Sequence, residues 1–379
     1  MIGKLWFISP GYPTRTDAFY TFVEQLCHAL VNLGVQVVVI APQSITHAIL
    51  HRKEIHPRYR VDMINNAELK VYQPCYLTLP YSLKKINNYF FSCAVHRAVK
   101  KLSKPDVVYA HFWQTGYCAY RVIKNCGYPL FVATGESQIE KMFDFDIDKN
   151  SFASYVKGVI AVSSHNKDIS VKLGLAQKNT IVLPNAINTN VFYKKDKVEC
   201  RRKLNVQEDI FVVAFVGWFI DRKGPLRVSE AIKRSSGIYS FFIGSGEQDP
   251  DCDNILFKGR LSHDQVADYL NAADVFVLPT RNEGCCNAVI EAMACGLPVV
   301  SSNLPFNWDV LNKSNSIMIS PGDIDALSDA ITKLRDDIEL RKKLSQGALA
   351  TAENLAIEKR AKNIVDFIES TLENNRNNE

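Results

Sequence analysis

The stretch Glu283-Gly-Cys-Cys-Asn-Ala-Val-Ile-Glu291 decides the fold, because it places two carboxylates with seven residues between them at a strand-to-helix junction. A strand-like run, 273–278, precedes it, and a helix-like run, 287–295, begins inside it. Open α/β sheets bind anionic ligands at such junctions, since backbone N–H groups at the helix start point toward the ligand. Asn287 and Glu291 are one helical turn apart and share a face. The stretch therefore predicts an α/β sheet that binds a phosphorylated ligand rich in hydroxyl groups.

Apolar runs of strand length alternate with helical patterns on both sides of this stretch. The runs are 5–9, 35–41, 107–110, 130–133, 159–162, 210–216, 240–243, 255–257, 273–278, 298–301 and 316–319. This alternation predicts βαβ units and parallel sheets. A polar segment, 193–203, interrupts it, and we interpret this segment as an interdomain linker. We predict two doubly wound, Rossmann-like parallel-sheet domains that face a cleft: an N-terminal domain, 1–195, and a C-terminal domain, 205–355. Residues 356–379 are predicted to form a helix that crosses back to the first domain, followed by a frayed tail.

Composition narrows the class of protein. The 379 residues are 47% hydrophobic and 22% charged, which is typical of a globular protein, and the net charge of +5 is too small to indicate nucleic-acid binding. The ten cysteines show no zinc-type spacing, so we expect no metal site. The N-terminal apolar run is too short for a signal peptide, and we expect a cytoplasmic protein.

The extended motif Asn282-Glu-Gly-Cys-Cys-Asn-Ala-Val-Ile-Glu-Ala-Met-Ala-Cys-Gly-Leu-Pro-Val-Val300 resembles the E-x7-E signature of the family 4 glycosyltransferases, which are retaining enzymes of the GT-B fold. The resemblance implies a nucleoside diphosphate sugar as donor, UDP- or GDP-linked, with no cofactor and no required metal. It also implies that 205–355 is the donor domain and that 1–195 is the acceptor-side domain. It implies that Glu283 contacts the donor sugar and Glu291 the ribose, with Gly284, Cys286 and Asn287 lining the donor site. The alternative for Glu291 is an exposed first-turn residue stabilised by the helix dipole. Cys285-Cys286 departs from the bulkier pair of the family, which leaves the sugar open.

A phosphate site needs cations, and Lys223 supplies one at the predicted start of another helix, in Gly217-Trp-Phe-Ile-Asp-Arg-Lys-Gly224. Relatives generally carry arginine directly after the first glycine, where this chain has Trp218. Arg222 is our candidate for the missing guanidinium. Gly246, in Gly244-Ser-Gly-Glu247, is a candidate donor contact, although a single G-x-G also forms ordinary tight turns.

The first half of the chain carries weaker candidates. His111 ends a predicted strand and matches the second histidine of the family's H-x-H pattern, which implies a catalytic position near the transferred sugar. The alternative is a histidine with a purely structural role. Tyr109 replaces the first histidine of the pattern. Gly11 is the one glycine left in the loop 9–17, which usually approaches the donor phosphate. Glu136 stands where relatives show a Thr-x-His motif, and it is a candidate acceptor contact.

Positive charge is concentrated in residues 44–104, which hold eleven Lys/Arg against three Asp/Glu. Aromatic residues alternate with these cations over 81–91. The region 52–104 could rest on the anionic inner face of a membrane and meet a lipid-linked acceptor. A solvated helix face whose aromatic residues fill the core explains the pattern equally well.

The resemblance thus implies a metal-independent, retaining transferase that moves a hexose or N-acetylhexosamine to a hydroxyl of a glycan or lipid-linked acceptor, in surface polysaccharide biosynthesis. It also implies that the leaving diphosphate itself accepts the acceptor's proton. Two alternatives stay open, a sugar-nucleotide epimerase of the same fold and a non-catalytic partner in a polysaccharide-assembly complex.

Overall fold

The structure is a computed structural model that describes residues 2–13, 20–51, 54–142, 149–176 and 179–376. It divides into two compact units. The first comprises Met1–Leu183 and Ile357–Glu379, and the second comprises Pro184–Ala356. None of the described helices is both long enough and apolar enough to cross a membrane.

The first unit contains a sheet whose strands alternate with helices and run parallel, except for one antiparallel strand at its edge. Its strands are β1 Lys4–Ile8, β2 Gln36–Ile40, β3 Gln43–Ser44, β4 Tyr59–Ile64, β5 Ala67–Tyr72, β6 Cys75–Tyr76, β7 Val107–His111, β8 Leu130–Thr134, β9 Val156–Ala161 and β10 Thr180–Val182. Its helices up to Leu183 are α1 Thr21–Asn32, α2 Ile45–Leu50, α3 Lys84–Val99, α4 Trp113–Ile123, α5 Ile139–Met142, α6 Lys149–Tyr155 and α7 Ser164–Lys172, with a 3-10 turn at Tyr81–Leu83. The strand order is β10-β9-β8-β7-β1-β2-β5-β4, and β3 pairs with β6 separately.

The second unit repeats the plan with a smaller sheet. Its strands are β11 Phe211–Val216, β12 Ile238–Ile243, β13 Ile255–Gly259, β14 Val275–Leu278, β15 Val299–Ser302 and β16 Ser316–Ile319. Its helices are α8 Lys197–Lys203, α9 Pro225–Lys233, α10 His263–Ala272, α11 Asn287–Ala294, α12 Ile324–Asp336 and α13 Ile338–Ala352, with 3-10 turns at Pro305–Asn307 and Glu353–Leu355. The last helix, α14 Ile357–Arg376, belongs to the first unit, where it packs on α1 and beside β9.

Both sheets form because their central strands are apolar on both faces. Every residue of β7, β8 and β14 is buried, as a parallel strand covered by helices on both sides requires. The strand order of the second sheet, β13-β12-β11-β14-β15-β16, is that of a doubly wound nucleotide-binding fold. The predicted α/β class with two Rossmann-like domains is confirmed, and each predicted strand is present to within a few residues at its ends.

The linker interpretation of 193–203 is wrong. The segment lies inside the second unit and ends in α8, whose first turn is capped by the Asp196 side chain. Arg201 of α8 is buried, and its guanidinium bonds Asp274 Oδ2 at 2.8 Å and the carbonyls of Glu208 at 2.7 Å and Ile210 at 3.0 Å. Lys197 also pairs with Asp274. The segment is polar because several of its cations pair with Asp268 and Asp274 inside the unit.

The basic region 52–104 has a more varied structure than one amphipathic stretch. It contains the antiparallel hairpin β4–β5, the edge of the first sheet, as well as α3. The hairpin turns at Asn65-Asn66, both with positive φ, as a two-residue hairpin turn requires. Arg52 and Lys53 of this region lie outside the described residues, as do the predicted loop positions 14–17 and Phe19 ahead of α1.

Candidate active site

The second sheet has its switch point between β11 and β14, where the strand order reverses direction. Ligands of open α/β sheets bind outside the carboxyl ends of the two strands at such a point. Here those ends lead into the loops 217–224 and 279–286. Lys223 and Arg222 come from the first loop, and Glu283 comes from the second.

The structure brings these three side chains into one cluster. Glu283 Oε1 lies 2.6 Å from Lys223 Nζ and 2.7 Å from Arg222 Nη1, and it accepts a hydrogen bond from Thr280 Oγ1 at 3.0 Å. Arg222 Nη1 also donates to the carbonyl of Asn282 at 2.6 Å. Two cations converge on one carboxylate, so the cluster as a whole retains positive charge for an anionic ligand.

Lys223 is largely buried, yet its pKa is raised. Burial acts to lower the pKa, but the charge and the hydrogen bond of the nearby Glu283 carboxylate act to raise it. Burial raises the pKa of the Cys286 thiol, whose sulfur lies 3.8 Å from Lys223 Nζ. Lys223 is therefore a fixed positive charge at neutral pH. Gly284 and Cys286, in the loop that carries Glu283, are both buried.

Helix α11 starts at the same edge without a side-chain cap from Cys286. The first N–H groups of a helix lack partners within it and are free to meet an anion. Asn287 is held in place by Asn185, whose Nδ2 donates to Asn287 Oδ1 at 2.7 Å and to the carbonyl of Cys285 at 3.0 Å. The sequence alone did not indicate a role for Asn185.

Glu291 lies one turn further along α11 and is partly buried. Burial raises its pKa to about 7, while the nearby Lys223 acts in the opposite direction. No described residue donates a hydrogen bond to its carboxyl group. Glu291 is therefore available to accept hydrogen bonds from a ligand's hydroxyl groups.

Arg227 fixes the two loops to each other, a role that the sequence did not indicate. Its guanidinium bonds Asp221 Oδ1 at 2.8 Å and the carbonyls of Asp221 at 2.8 Å and Pro279 at 3.0 Å. Gly224, with φ 81°, lies against this guanidinium, so a Cβ there would meet Arg227 Nη2 at 2.4 Å. Glycine at 224 thus lets Arg227 pass under the loop that carries Lys223.

Gly246 has a structural explanation. A Cβ at this position would meet the Phe219 carbonyl oxygen at 2.3 Å, because the loops after β11 and β12 pack backbone to backbone. Phe219 N–H donates to Ser245 O at 2.8 Å, and Gln248 N–H donates to Phe219 O at 2.9 Å. The predicted donor contact of Gly246 stays a prediction.

In the first unit, the switch point lies between β1 and β7, and it brings Gly11 and His111 to the same edge. His111 is buried between the rings of Phe22 and Phe112, and its Nδ1 has no hydrogen-bond partner among the described residues. Burial lowers its pKa to about 3, and the Arg360 guanidinium acts in the same direction. His111 is therefore neutral at physiological pH. Gly11 is tightly packed, since a Cβ there would meet the ring of Tyr20 at 2.4 Å.

Glu136 caps helix α4. Its Oε1 accepts the N–H of Trp113 at 2.6 Å, and its Oε2 accepts bonds from Thr134 Oγ1 at 2.7 Å and Gly135 N–H at 2.9 Å. Burial raises its pKa, and these three donors oppose the rise. The capping role is enough to explain a buried glutamate at this position. The predicted contact of Glu136 with the acceptor substrate stays a prediction. Tyr109, the replacement for the family histidine, is fully buried.

Comparison with known proteins identifies the family. Residues 21–191 match the family model described as glycosyltransferase family 4, and residues 196–351 match the model described as glycosyl transferases group 1. The two matches together cover most of the chain. The chain belongs to the family 4 glycosyltransferases.

The names of some relatives of this glycosyltransferase refer to bacterial surface polysaccharides. It is 27% identical over 351 residues to the putative teichuronic acid biosynthesis glycosyltransferase TuaC of Bacillus subtilis, covering 87% of this chain and 88% of the relative. It is 26% identical over 276 residues to UDP-Gal:alpha-D-GlcNAc-diphosphoundecaprenol alpha-1,3-galactosyltransferase of Escherichia coli, covering 64% of this chain and 70% of the relative.

Solved structures show that this glycosyltransferase has the predicted GT-B fold. Sucrose-phosphate synthase from Thermosynechococcus elongatus matches with a TM-score of 0.80 and 19% identity, covering 98% of this chain and 99% of that one. The Anabaena protein HepE, in complex with UDP-glucose, matches with a TM-score of 0.71 and 16% identity, covering 97% and 99%.

Proposed function

We propose that this glycosyltransferase transfers a sugar from a nucleoside diphosphate sugar to a hydroxyl group of a glycan or lipid-linked acceptor, in surface polysaccharide biosynthesis. We further propose that it retains the anomeric configuration and needs no metal ion. The observation that carries the proposal is the convergence of Lys223 and Arg222 on Glu283 at the switch point of the second sheet.

The two cations suit the charge that develops in the reaction. As the bond between the anomeric carbon and the diphosphate breaks, negative charge accumulates on the leaving diphosphate. Preorganised positive groups that meet such charge are usually the largest contribution to catalysis. Lys223, Arg222 and the N–H groups at the start of α11 would supply this stabilisation, which supports transfer without a metal. The acceptor hydroxyl would attack the carbon from the side of the leaving group and pass its proton to the diphosphate.

The carboxyl groups suit the hydroxyls of the donor. Glu283 would exchange its bonds to Lys223 and Arg222 for bonds to the sugar, which frees both cations to approach the diphosphate. Glu291 would accept hydrogen bonds from the ribose. A uridine nucleotide is our first choice, because the name of the Escherichia coli relative includes UDP-Gal and the HepE structure contains UDP-glucose.

A surface of the first unit supports the proposal of a lipid-linked acceptor at a membrane. Leu77 and Leu79 project from the segment before α3 with 55% and 38% of their surface exposed, and Tyr89 of α3 is 51% exposed. Lys84 and Lys85 begin the same helix. Apolar side chains beside cations are what an anionic leaflet binds. The name of the Escherichia coli relative describes a diphosphoundecaprenol acceptor.

The deciding experiment combines donor binding with product analysis. Thermal unfolding is measured with UDP- and GDP-sugars, where a bound donor at 100 times its Kd adds about 2.7 kcal/mol of stability. The donor that shifts unfolding is then incubated with lipid-linked acceptors, with and without EDTA, and the anomer of the product is read by NMR. We expect transfer with retention that EDTA leaves intact.

Three results would contradict the proposal. Loss of turnover in EDTA would overturn metal independence, and an inverted anomer would overturn retention. Conversion of the donor alone into another sugar nucleotide would indicate an epimerase instead.

A further inference from the structure

A cavity lies in the second unit, at the opposite edge of its sheet from the candidate active site. It measures about 190 Å³ and lies beside the amino ends of β14 and β15, under helix α13. Lys223 and Glu283 lie beyond the carboxyl ends of β11 and β14. Because a strand as long as Val275–Leu278 extends roughly 13 Å, one small ligand cannot touch both places.

Cations dominate the lining of this cavity. Lys194, Lys195, Lys197, Arg341 and Lys342 line it, and Asp274 is the acidic residue among its lining. Asp274 is already bonded to the buried Arg201 and to Lys197. The cavity therefore carries a surplus of positive charge that the described carboxylates do not balance.

The partners of these cations show the same surplus. Lys195 Nζ shares Asp268 with Lys203, so one carboxylate serves two ammonium groups. Lys194 has neither an ion pair nor a side-chain hydrogen bond among the described residues, and Lys342 pairs with Glu339 on the surface at 3.0 Å. Burial lowers the pKa of Lys197, and the repulsion of Arg201 and Arg341 adds to this effect.

The guanidinium of Arg341 is held in position by uncharged groups. Its Nη1 donates to the carbonyls of Leu334 at 2.6 Å and Arg335 at 3.0 Å, and its guanidinium lies 5.4 Å from the ring centre of Phe211. An arginine fixed by carbonyls and an aromatic ring keeps its full charge for a ligand, and its planar fork suits phosphate oxygens. The cavity of about 190 Å³ is small, which suits a phosphate group rather than a whole nucleotide.

We propose that this cavity binds a phosphate-class anion at a site separate from the candidate active site. The ligand is a free phosphate or diphosphate, or the phosphate of a lipid headgroup. The proposal does not rest on the proposed function.

The test is calorimetric titration with inorganic diphosphate, in low-salt buffer without divalent cations. The double variant Lys194→Gln/Lys342→Gln removes two exposed cations of the cavity. The matched control, Lys313→Gln/Lys343→Gln, removes two exposed lysines of the same unit that do not line it. We expect the first variant to weaken binding about tenfold and the control to change it less than about twofold. Unfolding curves of both variants verify that each is folded.

Two results would overturn the proposal. Equal weakening in both double variants would show that only general surface charge is involved. Complete loss of diphosphate binding in Lys223→Gln would place all binding at the candidate active site. The source of the anion follows from phosphatidylglycerol vesicles: the cavity variant loses vesicle binding if the ligand is a lipid headgroup, and keeps it if the ligand is free in solution.

Discussion

Asn185 donates a hydrogen bond to Asn287 across 2.7 Å, although the two residues are about a hundred positions apart in the chain. The bond holds the first residue of α11, whose N–H groups we expect to meet the donor phosphate. Asn185→Ala should weaken donor binding about tenfold, because a net loss of 1–2 kcal/mol per such bond is typical. Titration with UDP-sugars measures this. Asn190→Ala, at an exposed asparagine nearby, is the control and should bind as the wild type does.

Replacing Lys223 removes the buried cation of the site. Lys223→Ala should lower kcat by about 10²–10³-fold, since the leaving diphosphate loses a preorganised positive group. Steady-state kinetics at saturating donor measure the effect. Lys233→Ala, on the surface of α9, is the control. A wild-type kcat in Lys223→Ala would refute our assignment of this lysine.

Glu291 should make stability and donor binding depend on pH. Its folded-state pKa of about 7 lies above its ordinary value of 4.5, so the folded state holds a proton that the unfolded state has lost between these values. Its contribution is therefore fully present below about pH 4.5 and is lost as the pH rises to about 7. Glu291→Gln should remove this loss and be more stable than the wild type at pH 8 by roughly 3 kcal/mol.

Urea unfolding of the two proteins at pH 5 and at pH 8 gives this difference, and Glu353→Gln, at an exposed position, should follow the wild type. Donor affinity should rise through pH 7 in the wild type, because the ionised carboxyl group is the better acceptor of hydroxyl hydrogen bonds. A stability difference between wild type and Glu291→Gln that is the same at pH 5 and pH 8 would contradict the first expectation. A donor affinity that does not change through pH 7 would contradict the second.

His111 should make stability depend on pH in the direction opposite to that of Glu291. Its folded-state pKa of about 3 lies below its ordinary value of 6.5, so its contribution to stability is present above pH 6.5 and is lost as the pH falls toward 3. The loss should be about 1 kcal/mol per pH unit in this window. His111→Gln should flatten that slope, whereas His165→Gln should retain it. Histidine NMR signals provide an independent check, because His111 should not titrate between pH 5 and pH 8.

The exposed leucines before α3 should support binding to anionic vesicles. Leu77→Glu/Leu79→Glu should reduce sedimentation with phosphatidylglycerol vesicles by about tenfold or more, since both apolar contacts are lost and two negative charges are added. The matched control is Leu226→Glu/Leu256→Glu, at leucines of the second unit with 39% and 40% exposure. Equal reductions in the two variants would show that charge alone is responsible.

Local pattern was enough to predict the strands, the helix α11 and the presence of Glu283 and Lys223 at one edge, because parallel strands place their following loops together. It failed where a residue's role depends on a partner distant in sequence. Glu136 caps a helix that starts over twenty residues earlier, and Gly246 is required by the backbone of Phe219. Asn185 and Arg227 were missed for the same reason. The hairpin turn at Asn65-Asn66 could have been predicted from the sequence, since two asparagines between alternating runs favour a two-residue turn.

The buried Arg201 determines where the boundary of a stable fragment of this protein can be placed. A fragment that starts at Asn205 would discard both Arg201 and Lys197, and Asp274 would keep only the N–H of Val212, at 2.7 Å, among its bonds described above. Leaving a buried carboxylate without its cation costs about 3–5 kcal/mol, a large part of the stability of a domain. Chimaeras that exchange nucleotide-binding halves between relatives should therefore be joined at Pro184, so that α8 travels with the strands it holds.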